Sequence, residues 1–269
     1  MTRPFRFGVV APLTSTPAAW RDGARRVADC GCSTLLVPDY PLLQPAPGPL
    51  LATAAAITGL RVGTWVYASP LRPPWLTAWE AHSLSLMTDG RFEMGIGVGR
   101  PGIEDELRDR GVPGVVPPPA ARLDQIRDTV TALREFDGPD RRTPVAMAVH
   151  GPKARALAAE LADTVTLALG DQPRAEVARL AADFRARPDI ELALAVPVIG
   201  DSVAPHMAPP WTDPAALRAA DAVTVLPDDP AAAVEAIQRL REEIGFSYFV
   251  FGAAYAERFA PVVAALAGR

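Results

Sequence analysis

The sequence is poor in the residues on which several specialised chemistries depend. Its 269 residues include two cysteines, Cys30 and Cys32, and one intervening residue suits neither a disulfide nor a metal cage. They read as small apolar residues where a helix hands over to a strand. The three histidines, His82, His150 and His206, share no metal-ligand spacing, so no metal site is expected. No run of eighteen apolar residues is present, which excludes a membrane-spanning helix. Met1-Thr2-Arg3-Pro4 leads straight into a strand with no signal-peptide core, so a cytoplasmic protein is expected. The net charge is −4 with both signs spread along the chain. Without a basic stripe, the expected partners are small molecules and not nucleic acid. There is no short repeat and no sign of a second domain.

What the chain does have is alanine, arginine and proline throughout, with the prolines falling between periodic segments. Eight short, nearly continuous apolar runs predict strands covered on both faces: Phe5 to Ala11, Thr34 to Pro38, Arg61 to Tyr67, Arg91 to Val98, Pro144 to Val149, Thr164 to Ala168, Ile190 to Val198 and Ser247 to Phe251. Amphipathic helical patterns separate most of them, as at Ala18 to Cys30 and Trp75 to Met87, and another, Ala254 to Ala267, closes the chain. Gly31 and Asp229-Pro230 mark a helix end and a helix start. Eight alternations over residues 1–269 predict a single α/β domain, a (β/α)8 TIM barrel, although counting alone leaves an open doubly wound sheet as the other solution. Two connections exceed what a barrel needs, residues 99–120 and 199–229. The second, an insertion after strand seven with Pro205, Pro209-Pro210 and Trp211, reads as a lid or insertion.

Two motifs carry chemistry. In Gly90-Arg91-Phe92-Glu93-Met94-Gly95-Ile96-Gly97-Val98-Gly99-Arg100 the glycines weaken a strand unless the missing side chains leave room for something. That room admits either a planar ligand against the backbone or a tight strand-to-helix turn. Val149-His150-Gly151-Pro152-Lys153 runs from a strand through glycine to a proline suited to a first helical turn. Free backbone N–H groups there suit an anion, with Lys153 and Arg100 adding charge; an ordinary turn is the plain alternative. Trp65, Trp75, Trp79, Tyr67 and Tyr40 would cluster at the ends of strands two and three as an aromatic wall or as core.

Several segments together resemble the luciferase-like monooxygenase family of flavin- and deazaflavin-dependent barrel enzymes. They are Phe5 to Val10, Ala24 to Gly31, Leu35 to Asp39, Leu60 to Thr64, Gly90 to Gly99, His150 to Ala154 and Phe259 to Val263. The resemblance implies FMN or the deazaflavin coenzyme F420 across the C-terminal mouth, its ring against Thr64, Trp65, Val66, Val98 and Gly99. Its phosphate would lie at Val149, His150, Gly151, Pro152 and Lys153. It also implies a non-prolyl cis peptide near Thr64-Trp65 and a homodimer formed by the helices after strands two and three.

The chain departs from that family at two points. Many deazaflavin-dependent relatives place a histidine after the Pro-Asp of strand two, where Asp39 is here followed by Tyr40. Tyrosine, with a pKa near 10, is a poor neutral base but can donate a hydrogen bond. The glutamate that follows the glycine loop in one branch is replaced by Arg100-Pro101. The nearest acids, Glu104, Asp105 and Glu106, fall on an exposed first helical turn. The catalytic candidates are therefore Asp39, Tyr40 and Arg100, with Tyr67, His206 and Trp211 lining a substrate pocket. His82 reads as a helix surface or groove residue. The expected activity is hydride transfer or monooxygenation on a small organic substrate. The alternatives are a relative that has lost redox chemistry and a non-enzymatic partner subunit.

Overall fold

A computed structural model of the chain describes residues 3–41, 43–100, 102–109 and 117–269. Eight strands form the barrel: β1 (Arg6–Val10), β2 (Thr34–Val37), β3 (Arg61–Thr64), β4 (Phe92–Gly97), β5 (Val145–Val149), β6 (Thr164–Leu167), β7 (Glu191–Val196) and β8 (Phe246–Gly252). All neighbouring pairs are parallel, and β3 pairs with β4 at Val62↔Phe92 and Gly63↔Glu93. That last pairing closes the cylinder and excludes the open sheet. The helices are α1 (Pro17–Asp29), α2 (Pro47–Ile57), α3 (Pro74–Met87), α4 (Ile103–Asp109), α5 (Pro119–Asp137), α6 (Pro152–Leu161), α7 (Arg174–Ala181), α8 (Pro214–Ala219), α9 (Pro230–Glu243) and α10 (Ala256–Leu266). No helix of the described residues is long and apolar enough to cross a membrane.

Strand periodicity sorts the side chains into two apolar layers. Phe92, Met94 and Ile96 of β4 join the large layer between barrel and helices. Val10, Leu36, Ala193, Tyr248 and Val250 form a separate cluster inside the barrel. Below it lies a charged layer. Arg6 donates to Glu191 (2.8 Å) and Glu93 (2.9 Å), its guanidinium lies 3.5 Å over the Tyr248 ring, and the Tyr248 hydroxyl donates to Glu93 (2.9 Å). A Cβ at Gly8 would stand 2.6 Å from the Tyr248 hydroxyl oxygen, so only glycine admits that ring.

Local end signals act as read. Gly31 takes φ +77° beyond α1, and the Asp229 carboxylate accepts from the Ala232 N–H at 2.9 Å to open α9. Cys30 caps α1, Cys32 is buried, and both are free thiols. The third strand differs from its predicted length. It stops at Thr64, the Trp65–Val66 peptide is cis, and the chain resumes as a two-residue strand, Tyr67–Ala68, beside Ile96 and Gly97. The cis bond thus lies beside Thr64-Trp65, where it was expected.

Among the described residues both long connections carry secondary structure. Residues 99–120 contain α4. Pro101 and residues 110–116 lie outside the described residues, as do the side chains of Glu104 and Glu106. Asp105 pairs with Arg108 at 2.7 Å on the exposed face. The 199–229 segment carries α8 and a small three-stranded sheet of Val198–Ile199, Ser202–Val203 and Val225–Leu226.

Candidate active site

The glycines of β4 have a use different from the one expected. A Cβ on Gly95 would sit 1.9 Å from the Thr64 carbonyl oxygen, and one on Gly97 would sit 3.1 Å from Val66 Cγ2. The room left by those side chains is filled by the neighbouring chain, which lets the end of β3 lie down against β4. Thr64 ties the two together, its hydroxyl donating to the Gly95 carbonyl (2.7 Å) and accepting from the Gly95 N–H (2.9 Å). It is buried and is not among the walls of the cavity described below. Gly99 is required for a different reason, its φ of +80°.

Above this junction the C-terminal ends of β2 to β6 enclose a cavity of ≈ 660 Å³. Pro38, Asp39 and Tyr40 bound one side, Trp65, Val66 and Ala68 the next, Gly97 to Arg100 the third. Ala148, Val149 and His150 follow from β5, with Ala168 to Gly170 and Gln172 beyond β6. A second cleft of ≈ 360 Å³ lies behind Val98, which walls both. Gly151, Pro152, Lys153 and Ala154 at the start of α6 line it with Arg122. Among the described residues no side chain caps that helix end, so its first-turn N–H groups keep the donor capacity that an anion would use. Lys153 is the only lysine in the chain.

Asp39 is a clamp. Arg72 donates to it through Nε (2.9 Å) and Nη2 (3.2 Å), and the Ala68 N–H adds a third bond at 3.2 Å. Arg72 also reaches Glu80 (2.8 Å) and lies 4.2 Å over the Tyr67 ring. Burial opposes the charge on Arg72, but the hydrogen bonds and charge of Asp39, with Glu80 behind, hold its pKa above the usual guanidinium value. The carboxylate thus joins the end of β2 to the re-entrant turn after β3. The same carboxylate also lines the cavity.

Tyr40 borders the cavity, and its hydroxyl donates to the backbone carbonyl of His206 at 2.9 Å. Burial raises its pKa, with the nearby charge of Arg100 opposing, so the phenol keeps its proton at neutral pH. The other expected pocket residues stand elsewhere. Tyr67 is fully buried in the layer between barrel and helices, where burial raises its pKa well above 10. Trp211 is 83% exposed and absent from the cavity walls, and His206 contributes its carbonyl to Tyr40 and no wall. Trp75 and Trp79 do not cluster at the strand ends, because both are exposed on α3. His82 lies in the groove between α3 and α5, where its Nδ1 is 2.9 Å from the buried Asp137 carboxylate.

Arg72 and Arg122 were not legible beforehand. Arg122 sits one helical turn into α5 and donates to the Val98 carbonyl (3.3 Å) and the Pro117 carbonyl (3.1 Å). Nothing in its local pattern separates it from the other arginines of that helix. Gln172 and the Ala168 to Gly170 wall were likewise missed, since they follow a strand end with no distinguishing composition.

No curated protein sequence matches the chain at significance. Among solved structures, an F420-dependent secondary alcohol dehydrogenase in complex with an F420-acetone adduct has a TM-score of 0.71 at 17% identity, covering 98% of each chain. The coenzyme F420-dependent tetrahydromethanopterin reductase of Methanopyrus kandleri has a TM-score of 0.71 at 15% identity, again covering 98% of each chain. A riboflavin lyase with modified FMN and riboflavin has a TM-score of 0.71 at 15% identity, covering 98% of this chain and 92% of its own. At these identities the likeness concerns the barrel alone. The sequence pattern of the luciferase-like monooxygenases matches residues 5–203, and the chain therefore belongs to that family.

Proposed function

We propose that the protein is an oxidoreductase that uses reduced F420 or FMN to reduce or oxygenate a small organic substrate. The observation that carries the reading is the cavity at the ends of β2 to β6, which shares Val98 with the cleft at the start of α6. A ring-and-phosphate coenzyme needs that pairing of a flat apolar bed with an anion site. When bound, the coenzyme supplies the hydride or the oxygen-activating carbon. The chain's own residues orient it. Trp65, Val66 and Gly97 to Gly99 form the bed, and the Asp39–Arg72 clamp keeps that bed in place. Lys153 and the first-turn amides of α6 hold the phosphate. His150, on the cavity wall, is the remaining side chain placed to relay a proton, because the Tyr40 phenol keeps its own.

The test is titration of the coenzyme-free protein with FMN and with F420, followed by fluorescence quenching. Binding of either at micromolar levels, weakened by Lys153→Ala, supports the reading, and failure of both to bind refutes it. A second reading, loss of redox chemistry, draws on the same site. The Tyr40 proton is committed to His206 and the Asp39 carboxylate to Arg72, so neither expected proton carrier is available. Under that reading a coenzyme binds yet its reduced form is not consumed by any carbonyl or oxygen acceptor, and His150→Gln changes nothing.

The reading includes a homodimer through α3. Trp75 (60% exposed), Trp79 (52%), Leu86 and Met87 leave apolar surface exposed along that helix. Light scattering after size exclusion is expected to give twice the chain mass, with Trp79→Glu giving the monomer. A monomeric wild type removes this part of the proposal.

A further inference from the structure

Beneath the coenzyme bed, the barrel interior holds buried groups that the proposed reaction does not use. Trp65, half-buried, stands on the cavity wall and packs onto the interior cluster below it. Its ring meets that of Tyr248 edge to face, with centroids 6.3 Å apart and planes at 71°. Tyr248 is fully buried, and its hydroxyl donates to Glu93 Oε1 at 2.9 Å. Two glycines make room for this pair. A Cβ on Gly8 would stand 2.6 Å from the Tyr248 hydroxyl oxygen, and one on Gly63 would stand 2.6 Å from Glu93 Cγ.

The charges below the phenol are unequal in number. Arg6 pairs with Glu93 (2.9 Å) and with Glu191 (2.7 Å), so among the described residues of that layer one guanidinium faces two carboxylates. A proton arriving on Glu93 leaves Arg6 with Glu191 as its counter-charge, and no buried ion loses its partner. The other tyrosines are placed differently. Tyr40 and Tyr255 donate to the backbone carbonyls of His206 and Ser202, which are far weaker bases than a carboxylate. Tyr67 lies in the layer between barrel and helices.

We infer that Tyr248 is an electron donor to Trp65, with Glu93 as the acceptor of its proton, and that the pair removes oxidising equivalents from the cavity wall. A one-electron oxidant in the cavity takes an electron from the Trp65 indole and leaves a radical cation. The Tyr248 phenol then gives one electron to that cation and its hydroxyl proton to Glu93. Trp65 is restored, and a neutral tyrosyl radical remains beside a protonated Glu93. The positive charge thus ends as a proton in the layer where carboxylates outnumber guanidinium. An ascorbate-type reductant reaching the cavity returns the electron by way of Trp65, and Glu93 returns the proton. Such a path is useful because the wall faces a redox coenzyme, and in that respect it rests on the proposed function. The transfer itself needs no coenzyme, so the two fail separately.

The test is pulse radiolysis of the coenzyme-free protein with azide radical as the one-electron oxidant. Trp75, Trp79 and Trp211 are exposed, so each is replaced by Phe in a parent protein that keeps Trp65 and the buried Trp20. In that parent the tryptophanyl absorption is expected to decay as the tyrosyl absorption rises, at a rate independent of protein concentration. Trp65→Phe, which leaves only Trp20, should lose this phase. Tyr248→Phe keeps the ring and removes the hydroxyl, so the tyrosyl rise should vanish and the tryptophanyl lifetime lengthen. Glu93→Gln keeps a hydrogen-bond acceptor and removes the base, and transfer should slow about a hundredfold. The parent also gives a measurement that needs no buried substitution. Its transfer should be slower in deuterium oxide, because the phenolic O–H bond breaks in that step. A tryptophanyl decay unchanged by Tyr248→Phe, a transfer as fast in Glu93→Gln as in the parent, or equal rates in the two waters would each overturn the inference.

Discussion

Asp39 and Arg72 face each other across the end of β2 and the turn that follows β3, joined by hydrogen bonds of 2.9 and 3.2 Å. Both side chains are largely buried, at 5% and 17% exposure. Breaking such a pair from one side leaves a charge without its partner, which is the costly way to lose an ion pair. Asp39→Ala is expected to destabilise the protein by about 3 kcal/mol in urea unfolding. Arg72→Met in the same background should recover part of that loss, and a purely additive double mutant would contradict the clamp.

Gly95→Ala tests the junction under the coenzyme bed. The added Cβ meets the Thr64 carbonyl at 1.9 Å, a backbone atom with no rotamer to change. Overpacking of this kind costs about 3 kcal/mol, and the displaced end of β3 carries Trp65 with it. The expected outcome is a lowered melting temperature together with loss of FMN and F420 binding. Gly59, whose Cβ would meet nothing within 4 Å, is the control position.

Lys153→Ala removes the only ammonium group near the start of α6 while leaving the helix amides in place. A charge-assisted contact of this kind is worth about 2 kcal/mol. Coenzyme affinity should fall about thirtyfold with an unchanged melting temperature. The loss should shrink in 0.5 M salt, and a salt-independent loss would speak against a phosphate contact.

Stability should decline on the alkaline side. Burial pushes the Cys32 thiol up to about 12 and holds the Tyr67 and Tyr248 hydroxyls well above 10. In the unfolded chain these groups titrate near roughly 8.5 and 10. The folded state therefore keeps protons that the unfolded state releases, and the stability they contribute is complete below about pH 8.5 and lost as pH rises beyond it. Each group adds a slope of about 1.4 kcal/mol per pH unit once its unfolded form has titrated. Urea midpoints from pH 7 to 10.5 should fall, and Cys32→Ala should flatten the first part of the decline. A pH-independent midpoint in the wild type would remove this account.

Local and periodic features were legible in the sequence because they depend on neighbours along the chain. The eight apolar runs follow from strands covered on both faces, and the Gly31 and Asp229 end signals follow from backbone conformation and capping. The positions of Gly95 and Gly97 were also plain, but not what fills the room beside them. Alternation carried past Thr64 puts Trp65 and Tyr67 on one face. The strand in fact ends there, so Trp65 reaches the cavity while Tyr67 enters the outer layer.

Closure decided the rest. Tyr40 and His206, which follow β2 and β7, meet because a closed cylinder brings distant strand ends to one rim, whereas Asp39 meets Arg72 and Gly252 meets Ala204 through the pairing of neighbouring strands. Sequence spacing holds no distance between such residues until the pairing of β3 with β4 fixes the circle. By itself the sequence determined eight alternating strands and helices and most of their ends, the third strand excepted, and left closure open. The tertiary structure decided which side chains at those ends face the cavity, and which hold one another, since contact between distant segments depends on register and closure and not on local preference.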